Sequence, residues 1–162
     1  MTIQTLLSPR TITASEGPTY RVVSDLVTFK AIAEDTGGAY SLFETLTPVG
    51  QGAPPHRQRF EDEAFFVLDG VYTFLVGDQH VELTAGGYAF VPRETVHAYT
   101  NSGTTPARML ILVSPGGIHE QFFAEAGEWI ADRARLTQPA TPPDLPRLLT
   151  TAAKYGIEIL TP

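Results

Sequence analysis

Residues 54–70 read PPHRQRFEDEAFFVLDG and combine possible metal ligands with a strand-forming run. Side chains two positions apart in an extended strand point to the same side, so His56 and Gln58 face one way. The mostly charged residues 59–62 cannot easily continue a buried strand, and we expect them to turn the chain. This segment therefore predicts a strand, a turn and a second strand.

Glu63 begins the second of these strands, and its carboxylate shares a face with Phe65 and Val67. A carboxylate among apolar side chains is costly to bury unless a positive group compensates it. No Lys or Arg has the required strand parity, whereas His97, beyond a further strand and a proline-marked turn, offers a second imidazole. Two imidazoles, one carboxylate and one amide oxygen form a credible ligand set for a divalent ion: His56, Gln58, Glu63 and His97.

Neither of the remaining histidines is assigned to this ligand set. His80 follows a turn and alternates with apolar neighbours, so we expect it to be an exposed strand residue. His119 stands at the start of a candidate helix, where it can serve at the surface or at the mouth of a pocket. Glu61, Asp62 and Glu94 are interpreted as solvated turn charges.

The sequence around this segment is a succession of short strands. Apolar, β-branched and aromatic runs alternate with Gly- and Asn-containing turns, which indicates a β-sandwich or barrel. Gly77-Asp78 separates two such runs and predicts a tight hairpin. Besides the pair in residues 54–70, the predicted strands cover residues 20–23, 27–32, 40–46, 71–76, 80–83, 88–91, 96–99 and 109–113.

A helical pattern replaces the strand pattern after Pro115. Residues 118–126 carry Phe122 and Phe123 at helix-compatible spacing. A second helix is predicted to begin after the N-cap Asp144, with Leu145, Leu148, Leu149 and Ala152 on one face, and to end at Gly156. We therefore divide the chain into an N-terminal arm (1–19), a barrel (20–115) and a helical extension that packs on the barrel (116–162).

The bulk composition limits the possible partners. The chain has 162 residues, 43% hydrophobic and 18% charged, which is typical of one soluble domain. A net charge of -7 argues against nucleic acid, because phosphate binding requires a cationic surface. The absence of cysteine excludes disulfides and thiolate metal sites. Without a signal-peptide pattern or a run of about 18 apolar residues, we expect a cytoplasmic protein that binds a small molecule rather than a membrane.

The spacing of the candidate ligands resembles that of the cupin superfamily, which has two linked motifs. The resemblance implies an all-β fold, a cupin jelly-roll β-barrel (double-stranded β-helix) with C-terminal helices, and a homodimer. The motif positions are Gly50, His56, Gln58, Glu63 and Gly70 in the first motif, and Gly86, Pro92, Glu94, His97 and Asn101 in the second.

Two positions depart from the usual cupin pattern. Glu94 stands where the second motif has its second glycine, which affects only a turn. Gln58 stands where the first motif has its second histidine, and an amide oxygen is a harder and weaker donor than imidazole. The site should therefore favour Mn, Fe or Co over copper, or act as a two-histidine, one-carboxylate iron site. The alternative is that tight metal binding is lost.

The chain also resembles single-domain cupins similar to quercetin 2,3-dioxygenase. That likeness implies a metal-dependent dioxygenase acting on a flavonol-like or other phenolic or enolic small molecule. It implies one divalent metal ion (Fe, Mn, Co, Ni or Zn), Glu63 as a catalytic proton acceptor besides a ligand, and Phe65 and Tyr99 as pocket residues. The alternatives are a cupin isomerase and a non-catalytic small-ligand-binding cupin.

Overall fold

The strand-forming runs of the sequence build twelve strands over the part of the chain that is described, residues 7–132 and 141–160 of the computed structural model. All observed pairings between strands are antiparallel. The strands are β1 (Thr19–Val22), β2 (Asp25–Ala31), β3 (Ser41–Thr47), β4 (Gly52–Gln58), β5 (Asp62–Asp69), β6 (Val71–Val76), β7 (Gln79–Thr84), β8 (Tyr88–Val91), β9 (His97–Asn101), β10 (Ala107–Ser114), β11 (Glu128–Trp129) and β12 (Ile157–Ile159).

The strands form two sheets, and the chain passes repeatedly between them. One sheet has the order β11-β1-β2-β3-β10-β5-β8, and the other has the order β12-β4-β9-β6-β7. Because β4, β5, β6, β8, β9 and β10 alternate between the sheets in this way, the two inner faces enclose one core, as in a jelly roll. The predicted all-β barrel with C-terminal helices is confirmed.

Alternation along the strands determines which side chains form the core. On β5 the buried positions are Glu63, Phe65 and Val67, while Phe66 between them is exposed. On β10 every second residue from Ala107 to Val113 is buried in the same way. Burying one large apolar side chain stabilises the fold by about 1.5–3 kcal/mol. The same alternation turns the carboxylate of Glu63 into the barrel.

Two glycines allow tight turns next to the functional strands. Val76 pairs with Gln79, so Gly77-Asp78 forms the predicted two-residue hairpin between β6 and β7. Gly70, between β5 and β6, has a φ of +84°, and a Cβ there would lie 2.9 Å from the Cα of Ala107. A larger residue would be both strained and blocked, which explains the glycine at this motif position.

Three helices complete the described structure: α1 (Ala33–Thr36), α2 (Ile118–Ala126) and α3 (Leu145–Lys154). The side chain of Asp144 accepts a hydrogen bond from the backbone N–H of Arg147, so the predicted N-cap of α3 is confirmed. Among the described residues, no helix has the length and apolar character needed to span a membrane.

Two strands that the sequence pattern did not predict join the sheets from the C-terminal region. β11 pairs with β1, and β12 pairs with β4. In the second pairing Ile157 lies opposite Gln58, and Ile159 lies opposite His56. The end of the chain therefore supports the strand that carries two of the candidate ligands.

Candidate metal centre and cavity

Three of the four predicted ligands converge between the two sheets. His56 on β4 and His97 on β9 are directly paired across one sheet, and Glu63 reaches them from β5 of the other. The ring centroids of the two histidines are 4.2 Å apart. One ligand atom from each of the three side chains lies within 4.8 Å of the others, a spacing that could hold a metal ion.

The two imidazoles are oriented by the same backbone interaction. Nδ1 of His56 lies 2.8 Å from the carbonyl oxygen of Pro54, and Nδ1 of His97 lies 2.9 Å from that of Thr95. In each case Nδ1–H donates to a carbonyl two residues earlier, which leaves Nε2 for the centre. A hydrogen bond of this kind selects the tautomer and the ring orientation of a metal-binding histidine.

Glu63 and His97 form a buried ion pair, with only 4% and 1% of their surfaces exposed. Nε2 of His97 donates to Oε2 of Glu63 at 2.9 Å. Burial opposes both charges, but the hydrogen bond and the attraction within the pair outweigh it. The pKa of Glu63 is therefore lowered and the pKa of His97 is raised.

His56 is neutral near pH 7. Burial, followed by the charge of His97, lowers its pKa to about 4. A histidine must be deprotonated at the coordinating nitrogen to bind a metal ion, so His56 is already in the state that coordination requires.

Gln58 adds an amide to this group of side chains. Its Nε2 donates to Oε2 of Glu63 at 2.6 Å, whereas its Oε1 is buried and has no hydrogen-bond partner among the described residues. An unpaired buried acceptor costs about 1–3 kcal/mol, and a nearby cation would satisfy it. The donor set of two imidazoles, a carboxylate and an unpaired amide oxygen fits a divalent ion.

A cavity of about 300 Å³ opens beside these ligands, and His56 and Glu63 form part of its wall. Most of the wall is apolar and includes side chains from the barrel, from α2 and α3 and from β12. The C-terminal region therefore contributes directly to the site. The apolar wall includes Val27, Phe43, Ile111, Phe122, Phe123, Leu148 and Ile157.

Only one of the two predicted pocket residues lines this cavity. Tyr99 lines it, and its hydroxyl donates to Oδ2 of Asp25 at 2.8 Å. Phe65 instead lies in the core, where its ring packs 5.2 Å from Phe74 and 5.9 Å from the ring of His97. Phe65 does point inward, as its parity predicts, but its ring is buried in the core beside His97 and does not line the cavity.

The interpretation of Glu61 as a solvated charge is wrong. Glu61 is 2% exposed, and its Oε2 accepts a hydrogen bond from Nδ1 of His119 at 2.7 Å. His119 is 5% exposed and lines the cavity, whereas His80 is exposed on β7 as predicted. Helix α2 covers the turn before β5, and the local charge pattern contains no signal of that covering.

Asp25 is a second acidic residue on the cavity wall that sequence reasoning did not identify. It is 5% exposed and accepts hydrogen bonds from Tyr99 and Thr47. Burial raises its pKa to about 6 in spite of these two hydrogen bonds, because neither donor carries a charge. Asp25 follows the alternation of Val27 on β2, which could have indicated its inward direction.

A comparison with protein families matches residues 42–113 to the Cupin domain family. Residues 42–113 therefore carry a cupin domain. The matched region of this cupin contains all four candidate metal ligands and ends before His119.

Two curated proteins are similar to this cupin in sequence. Quercetin 2,3-dioxygenase of Bacillus subtilis (strain 168) is 26% identical over 120 residues, which cover 74% of this chain but 35% of that protein. An uncharacterized protein of Methanocaldococcus jannaschii is 27% identical over 84 residues, covering 52% of this chain and 67% of the other. The chain thus corresponds to about a third of the length of the dioxygenase.

Solved structures share the fold of this cupin. A predicted oxalate decarboxylase from Thermotoga maritima has a TM-score of 0.60 at 19% identity, covering 65% of this chain and 99% of its own. An RmlC-like cupin from Shewanella frigidimarina has a TM-score of 0.59 at 16% identity, covering 67% of this chain and 93% of its own. At these identities the likeness describes the fold and not the activity.

Proposed function

We propose that the protein is a metal-dependent dioxygenase that acts on a flavonol-like or other phenolic or enolic small molecule. The observation that carries this proposal is the position of His56 and Glu63, which lie in the wall of an apolar cavity next to His97. A ligand in that cavity would place its oxygen atoms against a metal site and its rings against aromatic side chains. The sequence likeness to a quercetin 2,3-dioxygenase supports the same reading.

The proposed cofactor is one divalent ion, which can be Fe, Mn, Co, Ni or Zn. His56, Glu63 and His97 would hold it, and Gln58 would supply its amide oxygen as a fourth donor after its amide, whose nitrogen faces Glu63, has turned. When bound, such an ion supplies Lewis acidity, and a redox-active metal also supplies electron transfer to dioxygen. With an amide as the fourth donor, hard ions such as Mn or Fe are favoured over copper.

Glu63 has a second role in this proposal. Its Oε2 takes part in the bonds to His97 and Gln58, while its other oxygen makes no hydrogen bond within residues 7–132 and 141–160. Because Glu63 lies on the cavity wall and remains ionised, this second oxygen can accept the proton of a substrate hydroxyl.

The cavity chemistry favours a neutral, ring-containing substrate over a phosphorylated sugar. Within the described ranges, the residues that line it include no Lys or Arg. Phosphate binding in proteins normally uses such cations or exposed backbone N–H groups. This argues against the isomerase alternative, whereas a cupin that binds the same kind of ligand without turnover would have the same cavity.

Oxygen consumption tests the proposal. Protein loaded separately with Fe, Mn, Co or Ni is mixed with quercetin in an oxygen electrode, with chelator-treated protein as the blank. We expect metal-dependent oxygen uptake by the wild type and by His80→Ala, whose imidazole is exposed on β7, and none by His56→Ala. If the protein binds the metals but consumes no oxygen with all four of them, the result would contradict catalysis and favour the non-catalytic alternative.

A further inference from the structure

The Glu61–His119 pair is a second polar group on the wall of the same cavity. Glu61 lies in the turn between β4 and β5, and His119 lies in the first turn of α2. The 2.7 Å bond between them is almost entirely shielded from solvent. Taking a carboxylate and an imidazole out of water is costly even when they are paired, so the pair is a poor device for stability alone.

Aromatic contacts determine the orientation of the His119 ring. Phe43 stacks on it at 5.7 Å with an interplanar angle of 24°. Phe123 and Phe122 meet it edge-on, at 5.2 Å and 6.3 Å. Together with the bond from Nδ1 to Glu61, these contacts hold the imidazole in one position.

The second ring nitrogen of His119 is the one available to a ligand. Nδ1 is occupied by Glu61, and Nε2 has no hydrogen-bond partner among the described residues. His119 lines the cavity with His56 and Glu63 but does not belong to the three-residue group whose ligand atoms lie within 4.8 Å. Although burial opposes the charge, Glu61 raises the pKa of His119, which favours a proton on Nε2.

We propose that His119 binds the substrate by donating a hydrogen bond from Nε2 to a substrate oxygen that the metal site does not hold, and that Glu61 is its positioning residue. This inference rests on the proposed function and narrows its substrate class. The substrate has an aromatic body, one oxygen-bearing edge for the metal site and a further hydroxyl or carbonyl oxygen for His119. His119 lies beyond the matched Cupin domain region, so the C-terminal extension provides this selectivity.

Two flavonols that differ in their additional oxygens test this. Quercetin carries hydroxyls beyond the 3-hydroxy-4-carbonyl edge, and 3-hydroxyflavone carries only that edge. Binding of each to manganese-loaded protein is measured by anaerobic calorimetry for the wild type, His119→Phe, His119→Gln and Glu61→Gln. His80→Phe serves as the matched control for loss of an imidazole outside the cavity.

We expect His119→Phe to weaken quercetin binding by about 10- to 100-fold, as for one lost hydrogen bond from a charged donor, and to change 3-hydroxyflavone binding by less than about twofold. His119→Gln, which retains a donor, restores part of the preference for quercetin. Glu61→Gln gives a smaller loss with the same preference. Metal content and the His80→Phe values stay at the wild-type level.

Three outcomes would overturn the inference. The first is an equal loss of affinity for both flavonols in His119→Phe, which indicates a structural role. The second is no loss of affinity for either flavonol in that variant. The third is failure of the wild type to bind quercetin. If the proposed function is wrong but this inference is right, the protein binds quercetin in preference to 3-hydroxyflavone through His119 but consumes no oxygen. If His119→Phe does not fold, ¹⁵N spectra of the wild-type imidazole decide instead: quercetin must shift the His119 Nε2 signal more than 3-hydroxyflavone does.

Discussion

Two buried carboxylates of this barrel, Glu63 and Asp25, respond to burial in opposite ways. Both line the same cavity, and both are about 95% shielded from solvent, with exposures of 4% and 5%. The pKa of Glu63 is lowered because His97 carries a positive charge at 2.9 Å. The pKa of Asp25 is raised to about 6 because its partners are the uncharged hydroxyls of Tyr99 and Thr47.

The difference shows that the charge of the partner decides the state of a buried carboxylate. Hydroxyl donors improve the solvation of Asp25 but do not replace water completely, and its Oδ1 has no hydrogen-bond partner in the part of the chain that the structure describes. Glu63, in contrast, faces the imidazoles of His97 and His56, which can carry a positive charge or bind a metal cation. One end of the cavity is therefore suited to a metal ion, whereas the Asp25 side is an electrostatic cost to the fold.

Replacing Glu63 should have the largest effect. We expect Glu63→Ala to lower metal affinity by at least about a thousandfold, or about 4 kcal/mol, because it removes the only carboxylate of the ligand group. Metal content after dialysis, measured by elemental analysis, checks this. Asp25→Asn is the matched control and should retain the ion. Equal metal content in Glu63→Ala and wild type would remove Glu63 from the ligand set.

The comparison also predicts how stability depends on pH. Because the pKa of Asp25 is raised to about 6, the metal-free native state holds this proton up to about pH 6, whereas the unfolded chain releases it near pH 4. The contribution of Asp25 to the free energy of unfolding is therefore full below pH 4 and falls by about 3 kcal/mol as the pH rises to about 6.

Asp25→Asn isolates this contribution from that of Glu63, whose lowered pKa acts with the opposite sign. Denaturant unfolding of the metal-free proteins at pH 4 and pH 7 provides the measurement. The difference in free energy of unfolding between Asp25→Asn and wild type should shift by about 3 kcal/mol in favour of the variant when the pH is raised from 4 to 7. A constant difference would mean that Asp25 does not change its protonation state in this range.

The smallest expected effect sharpens the account of Asp25 itself. Tyr99→Phe removes the hydroxyl that donates to Asp25, and we expect a cost of about 2 kcal/mol at pH 7 but about 1 kcal/mol at pH 4, where the acceptor is neutral. Tyr72→Phe, which loses a bond to the uncharged Thr47, should cost about 1 kcal/mol at both pH values. Equal pH dependence in the two variants would contradict a charged Asp25 at neutral pH.

Local pattern was sufficient for the longer strands and helices but not for the shortest elements. The predicted bounds of β6, β8 and α2 agree with the observed ones, because alternation and helical spacing are properties of neighbouring residues. β11 and β12 were not predicted. These strands are two and three residues long, and they exist because β1 and β4 offer free edges at the points where the chain returns.

The residues of the site likewise fall into those that the sequence predicted and those that it did not. Motif spacing and strand parity predicted that His56, Glu63 and His97 would converge, since each points inward from a strand. Glu61 could not be recognised as buried, because an acidic residue in a turn has the same local signature whether or not another element covers it. The alternation of β2 gives the inward direction of Asp25 but not the partners that surround its carboxylate.

What the sequence determined by itself was the succession of short strands and the inward direction of the candidate ligands on them, since both follow from alternation between residues that are near one another along the chain. The spacing of the two motifs added the resemblance to cupins. The tertiary structure alone decided the closing of the cavity by α2, α3 and β12, the union of Glu61 with His119, and the opposite pKa shifts of the two buried carboxylates. These depend on packing between distant segments, where burial and the charge of the nearest partner are set.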